Sequence, residues 1–273
     1  MSLANRILRF YVYSNLHVAV AVACLVKITL IESLIDSNTT AFLMGCGTVI
    51  AYNFIRWMQI DRIRNHLSIW MRSNIRSLIV LNGLCLLAAA FLLIQLPLES
   101  IYVLLPFSLI TVLYALPLNN RGGRGLRFVP GLKLLLIAIT WAGLTVIFPM
   151  KAEGIIFTKE TWGIVVQRIL FIMAITIPFD IRDYHYDDGS LKTLPQLVGV
   201  GWSKAIGIFC LLLFVWLEWI VFGDGSMGKI SLLAGLASLL IVGSSVGQSR
   251  FYSAFWVESL PLLWLAFVMT DQL

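Results

Sequence analysis

The sequence predicts an all-α integral membrane protein, a bundle of nine transmembrane helices, and three observations carry the prediction. Of 273 residues, 59% are hydrophobic and only 12% charged, where a soluble domain carries about a quarter; the mean hydropathy is +0.90. An apolar helix needs roughly 20 residues to cross the hydrocarbon core of a bilayer, and segments of that length recur nine times. The connections between them alternate in charge, as the preference of Lys and Arg for the cytoplasmic side requires.

The expected spans cover residues 11-32, 40-58, 77-96, 100-117, 131-149, 162-180, 202-222, 229-246 and 252-271. One side receives Arg6 and Arg9, then Arg62, Arg64, Arg72 and Arg76, then Arg121, Arg124 and Arg127, then Arg182, Lys192 and Lys204, and finally Arg250. The other receives chiefly Lys151, Lys159 and Lys229, with Glu32, Asp36, Glu99, Glu153, Glu160 and Asp224. The N-terminus is therefore expected in the cytoplasm and Leu273 on the opposite side, in a cell membrane of the bacterial inner-membrane type. The net charge of +6 reads as a topology signal, and no nucleic-acid partner is expected.

A cleaved signal peptide is a competing reading of Arg6 and Arg9 before the apolar "VAVAVACLV". Ala21 stands where a lipoprotein signal prefers a larger aliphatic residue, and eight further spans follow, so the first span is expected to stay. Cys24, Cys46, Cys85 and Cys210 sit singly in apolar spans with no metal-ligand spacing and read as small core residues. No long linker divides the chain, so residues 1-273 read as a single transmembrane domain.

Two corners interrupt the apolar pattern. The second and sixth spans both run toward the cytoplasm, and they end in "AYNFIRWMQIDRIRNH" and "TIPFDIRDYHYDDGS". Four helices separate the corners, a hydropathy symmetry of two four-helix units plus a ninth helix. On a helix, Asp180, Asp183 and Asp187 fall within roughly 60° of one another. Like charges on one stripe at a membrane boundary are costly unless partnered. A divalent cation answers that need, and hard oxygen ligands without His or Cys favour Mg²⁺. The alternative is a solvated loop that merely stops the sixth span, a reading that suits Asp188, Gly189 and Ser190. At the first corner Asn53 and Asp61 lie within roughly 80°, with Trp57 between them and Arg56 and Arg62 alongside. Such a helix end can hold a phosphate or be positive-inside decoration.

Polar groups deeper in the spans have local readings. His17 is expected to pack between helices, His66 to lie in a loop and His185 at the surface. Lys27 can snorkel outward, and Glu218 lies near the outer end of the seventh span. Arg168 and Glu258 are deeper, where isolated charges are expensive; a pairing between them is one open reading, which depth alone does not establish.

With those residues in view, the sequence resembles the UbiA-type superfamily of intramembrane prenyltransferases, which have nine transmembrane helices and two aspartate-rich motifs at the cytoplasmic ends of the second and sixth. "DIRDYHYD" followed by "LKTLPQLVG" is similar to the family's second motif, an Asp, two residues, Asp, three residues, Asp pattern with a Lys-Thr-Leu stretch after it. "LYALPL", the basic loop after it and "PGLKLLLIAITWAG" extend the likeness. The first motif departs: the family shows Asn, three residues, Asp, three residues, Asp, and here Asn53 and Asp61 stand in place while Trp57 occupies the first aspartate position.

The resemblance implies electrophilic alkylation, in which an isoprenoid diphosphate loses its diphosphate and a lipophilic acceptor captures the allylic cation. It implies Mg²⁺ as cofactor, held by Asp180, Asp183 and Asp187 with Asp61 and Asn53 completing the site from across the bundle. Arg56, Arg62, Lys133 and Lys192 are candidate diphosphate contacts, and Arg121 and Arg124, with Arg127, belong to a glycine-rich loop that either closes over substrate or marks topology. Trp57, Tyr114, Phe54, Phe179 and Tyr184 are candidate aromatic faces for the cation. The expected partners are a prenyl diphosphate, the lipophilic acceptor and membrane lipid, with no protein partner implied. Two other classes stay open: a catalytically impaired binder of prenyl diphosphate or another lipid, which Trp57 favours, and a transporter, suggested by the half-chain symmetry and buried charge.

Overall fold

The computed structural model describes residues 2–58, 60, 66–115, 131–185 and 193–270. Among these the secondary structure is helical throughout, without strands. The chain opens with α1 (Leu3–Tyr13) and α2 (Leu16–Glu32) and continues through α3 (Thr39–Met58), α4 (His66–Ser73), α5 (Ile75–Leu93) and α6 (Leu98–Ala115). Next come α7 (Leu132–Ala142), a π turn (Gly143–Ile147) and α8 (Phe148–Ala152), then α9 (Lys159–Arg182), α10 (Leu194–Phe222) and α11 (Met227–Gly243). A π turn (Tyr252–Trp256) and a 3-10 turn (Val257–Ser259) lead into α12 (Leu260–Met269).

Five of these segments are long and apolar enough to cross a membrane: Ile75–Leu93, Leu132–Ala152, Lys159–Arg182, Leu194–Phe222 and Tyr252–Met269. The α1–α2 pair makes a sixth if its 57° bend is taken as one broken span. Leu98–Leu113 and Met227–Gly243 are apolar but shorter. The chain is thus an all-α, multi-pass membrane protein.

The expected first span, 11–32, is not one helix. Asn15 adopts a left-handed conformation, φ 66°, which Asn tolerates better than most residues because its short amide bonds locally. The turn strands carbonyls at the end of α1, and α3 satisfies them: Arg56 Nη1 donates to Tyr13 O at 2.9 Å and Asn53 Nδ2 to Ser14 O at 3.2 Å. Asn15 Nδ2 donates in turn to Asn53 Oδ1 at 2.7 Å. What remains outside the bundle as α1 presents exposed Leu3, Ile7 and Leu8 beside Arg6 and Arg9, the composition of a helix that rests at a lipid interface.

The segment 132–152 bends differently. Its π turn leaves Thr145 O to accept Thr29 Oγ1 at 2.8 Å, which ties it to α2. A Cβ on Gly143 would fall on the Phe107 ring of α6, so glycine is what lets those two helices approach.

The packed centre lies among α2, α7, α9, α10, α11 and α12, around Leu25, Ile28, Ala138, Phe171, Phe214, Leu233 and Trp264. Phe171, Phe214 and Trp264 form a triangle with ring centroids 5.0 to 5.4 Å apart. Lipid tails are as apolar as these side chains, so close packing rather than escape from water holds the helices together. By contrast α5 exposes Ile79, Val80, Leu84, Leu87 and Phe91, the surface of a lipid-facing helix.

α9 carries the second corner. Thr158 and Thr161 form its capping box, the reciprocal bonding that fixes a helix start, and 24 residues later it ends at Arg182. Pro178 near that end has no N–H to continue the ladder, and Gln248 Nε2 donates to Pro178 O at 2.7 Å, which ties that turn to the α11–α12 connection. α10 begins with Thr193 and Gln196 in a second capping box and kinks at Gly199, φ 83°.

Candidate functional site

The end of α9 gathers charge out of an apolar bundle. Asp180 is 1% exposed, and its Oδ1 lies 2.7 Å from Lys133 Nζ at the start of α7. Asp183, the residue that caps α9, receives Arg182 Nε at 2.8 Å on one oxygen and Arg182 Nη2 at 2.7 Å on the other. Arg182 also donates through Nη1 to Ser253 Oγ at 2.9 Å, and its guanidinium stands over the Phe179 ring, 5.2 Å from the centroid. Burial opposes ionisation of Asp183, but its bonds to Arg182 and the charges of Arg182, Lys133 and Arg250 outweigh it, holding the carboxyl below its ordinary range.

Two of the three expected acids are therefore brought to one end of the bundle, each with a basic partner. Asp187, Asp61, Arg62, Lys192, Arg121 and Arg124 lie outside the described residues, as does the side chain of Tyr114. Among the described residues no group of three or more His, Cys, Asp or Glu is placed to hold a metal. The described donors, two carboxylates, suit Mg²⁺, which is commonly bound by one or two carboxylates plus phosphate oxygens.

Asn53 is buried, and both ends of its amide are engaged at the α1–α2 break, not toward Asp180. Arg56, one turn on, reaches the same break. Trp57 is 47% exposed, and Phe54 is also exposed. Tyr184 stacks edge-on with His185, and His185 is exposed, as the sequence predicts.

Arg168 and Glu258, whose pairing the sequence leaves open, do not pair. Arg168 is fully buried and donates to Leu25 O at 2.9 Å and Thr29 Oγ1 at 3.2 Å, with Trp264 beneath its guanidinium at 4.7 Å. Its charged neighbours are Glu32 and Glu218. Glu258 instead faces Arg56 and Arg182. Hydropathy does not say which charges meet: Arg168 belongs with Glu32 and Glu218, and Glu258 with the charges at the end of α9 that carries Arg182. Arg182, Ser253 and Glu258 are site neighbours that the motif pattern does not reveal; the signal for Glu258 was its cost as an acid within an apolar span.

Of the other polar readings, that of His66 is corrected, since it begins α4 rather than lying in a loop, and those of His17 and Lys27 hold. His17 is 2% exposed, bonded to Tyr11 OH at 3.0 Å and Phe255 O at 3.0 Å, and stacked on the Phe255 ring. Lys27 reaches Asp36 at 3.1 Å.

The fold and the paired acids define a class: multi-pass helical membrane proteins with a carboxylate-bearing helix end. A solved structure described as digeranylgeranylglyceryl phosphate synthase in membranes matches this chain with a TM-score of 0.53 at 14% identity, covering 96% of this chain and 99% of that one. No family model matches the sequence, and no curated protein matches it. The likeness is one of fold.

Proposed function

We propose that this protein transfers a prenyl group from an isoprenoid diphosphate to a lipophilic acceptor within the membrane, in a Mg²⁺-dependent reaction on the cytoplasmic side. The observation that carries the reading is the buried Asp180 beside Lys133, with Asp183 one turn on. An acid and a base held in an apolar bundle cost stability, and functional sites are where such costs are kept. Asp180 and Asp183 hold the metal, with Asp187 and Asp61 as further ligands. Mg²⁺, when bound, neutralises charge on the diphosphate. Lys133 and Arg182 stand at the same helix end to receive the leaving diphosphate, with Arg62 and Lys192 as further contacts, and fixed cations there favour the charge that develops on it. Asn53 and Arg56 act by fixing the α1–α2 break rather than by touching substrate. The lipid-facing apolar surface admits a prenyl chain too greasy to arrive through water.

Purified protein in membranes containing candidate acceptors, given labelled prenyl diphosphate and Mg²⁺, is expected to form prenylated product. Asp183→Ala is expected to abolish it, and product from that variant at the parent rate would overturn the assignment. Trp57 favours a second reading, a protein of this fold that binds prenyl diphosphate without turnover; tight Mg²⁺-dependent binding with no product from any acceptor is its signature.

A further inference from the structure

The last membrane span begins with an irregular stretch beside the end of α9. The π turn Tyr252–Trp256 and the 3-10 turn Val257–Ser259 stand where the first turns of an α-helix would be, and three neighbouring helices hold them. Tyr252 OH donates to Leu240 O on α11 at 2.7 Å, and Ser253 Oγ accepts from Arg182 Nη1 of α9 at 2.9 Å. His17 Nε2, on α2, lies 3.0 Å from Phe255 O and 3.2 Å from Ser259 Oγ. Single π turns within helices are frequent at functional sites.

This stretch carries an acid. The charged neighbours of Glu258 are Arg56, from α3, and Arg182, from α9. The two guanidiniums also feel each other's charge, and like charges repel strongly where the surroundings are poorly polarisable, so an anion between helices at this point steadies both. In a regular α-helix residues five apart point about 140° away from each other. Across the π and 3-10 turns, Ser253 and Glu258 both turn to Arg182.

Arg182 therefore stands between two carboxylates. Toward its own neighbour it makes a fork, Nε to one oxygen of Asp183 at 2.8 Å and Nη2 to the other at 2.7 Å, so both oxygens of that acid are engaged. A divalent cation binds through carboxylate oxygens. At Asp183 it competes with the fork, and its charge opposes that of the guanidinium. The charges bearing on Asp183 are those of Arg182, Lys133 and Arg250, so Glu258 acts on this acid through Arg182.

We propose that Glu258 is a positioning residue for the metal site: it takes up the charge of Arg182 as Asp183 turns to Mg²⁺, and so keeps the guanidinium at the helix end while releasing the carboxylate. The inference rests on the proposed role of Asp183 as a metal ligand. The test uses the full-length protein in detergent and Mg²⁺ alone, with affinity read by calorimetry and helicity by circular dichroism. Glu258→Gln is expected to weaken Mg²⁺ binding about tenfold, the scale for residues that act through a metal's ligands, and Glu258→Asp, which keeps the charge, is expected to recover most of it. In an Arg182→Met background Glu258→Gln is expected to change the affinity less than twofold, because no guanidinium is left to place. A merely structural role for Glu258 predicts the same loss in both backgrounds, and that result would overturn the proposal, as would parent affinity in Glu258→Gln alone. If the parent protein takes up no Mg²⁺, the reading of Asp183 as a metal ligand falls and this inference falls with it.

Discussion

Lys133 and Asp180 form a buried ion pair across α7 and α9, Nζ to Oδ1 2.7 Å. Neither residue has a charged neighbour in sequence that anticipates the other, and 47 positions separate them. Removing one member of a buried pair leaves the other charge uncompensated, at a cost of about 3 to 5 kcal/mol, whereas removing both is far cheaper. Lys133→Met and Asp180→Asn are each expected to lower Tm in detergent, and the double variant is expected to unfold above either single one. A double variant that loses the sum of the two would show that the pair does not stabilise as drawn. In the proposed reaction, activity is lost in all three.

The amide of Asn53 closes the break between α1 and α2. Asn53→Ala orphans Ser14 O and Asn15 Nδ2, and each unsatisfied buried group costs roughly 1 to 3 kcal/mol. Hydrogen exchange across residues 3–15 is expected to quicken on the order of tenfold, since each 1.4 kcal/mol is a factor of ten. If exchange is unchanged while Mg²⁺-dependent substrate binding disappears, Asn53 is a ligand rather than a cap.

Glu99 and Lys151 pair at 2.8 Å at the opposite end of the bundle from Asp180. The hydrogen bond and charge of Lys151 hold the Glu99 carboxyl below its ordinary value of 4.5. Because the folded value is depressed, the contribution is present above about pH 4.5 and lost as pH falls through the lower folded value. Both groups are exposed, so salt screens the pair. Titration of a carbon-13-labelled Glu99 is expected to show the depressed midpoint, and Lys151→Met is expected to return it toward 4.5. An unmoved midpoint would assign the shift to something else.

The fold class was legible because composition alone excludes a soluble chain and apolar runs of bilayer length mark the helices. The second corner was legible because Asp180 and Asp183 share a helical face. What pairs with them was not: Lys133 arrives from another helix, and Arg182, which reads as a positive-inside marker, turns back on its own neighbour. The first span concealed its break, since Ser14 and Asn15 interrupt hydropathy too little to register, and only the left-handed φ of Asn15 and its bond to Asn53 expose it. Depth and charge left open whether Arg168 and Glu258 meet, and the packing places them in opposite clusters.

Trp57 tests which of the two functional readings is correct. It occupies the position where the family pattern carries an aspartate, midway between Asn53 and Asp61, and at 47% exposure its replacement removes little packing. Trp cannot coordinate Mg²⁺, since hard cations require oxygen donors. Trp57→Asp is therefore expected to tighten Mg²⁺-dependent prenyl diphosphate binding on the order of tenfold, the scale on which single groups tune metal affinity, as measured by calorimetry in detergent. Turnover that rises with binding marks an enzyme working with a reduced ligand set, while tighter binding without product marks a protein that has kept the site and lost the reaction. Unchanged affinity would remove the first corner from the metal site altogether and leave the acids at the end of α9 to act without it.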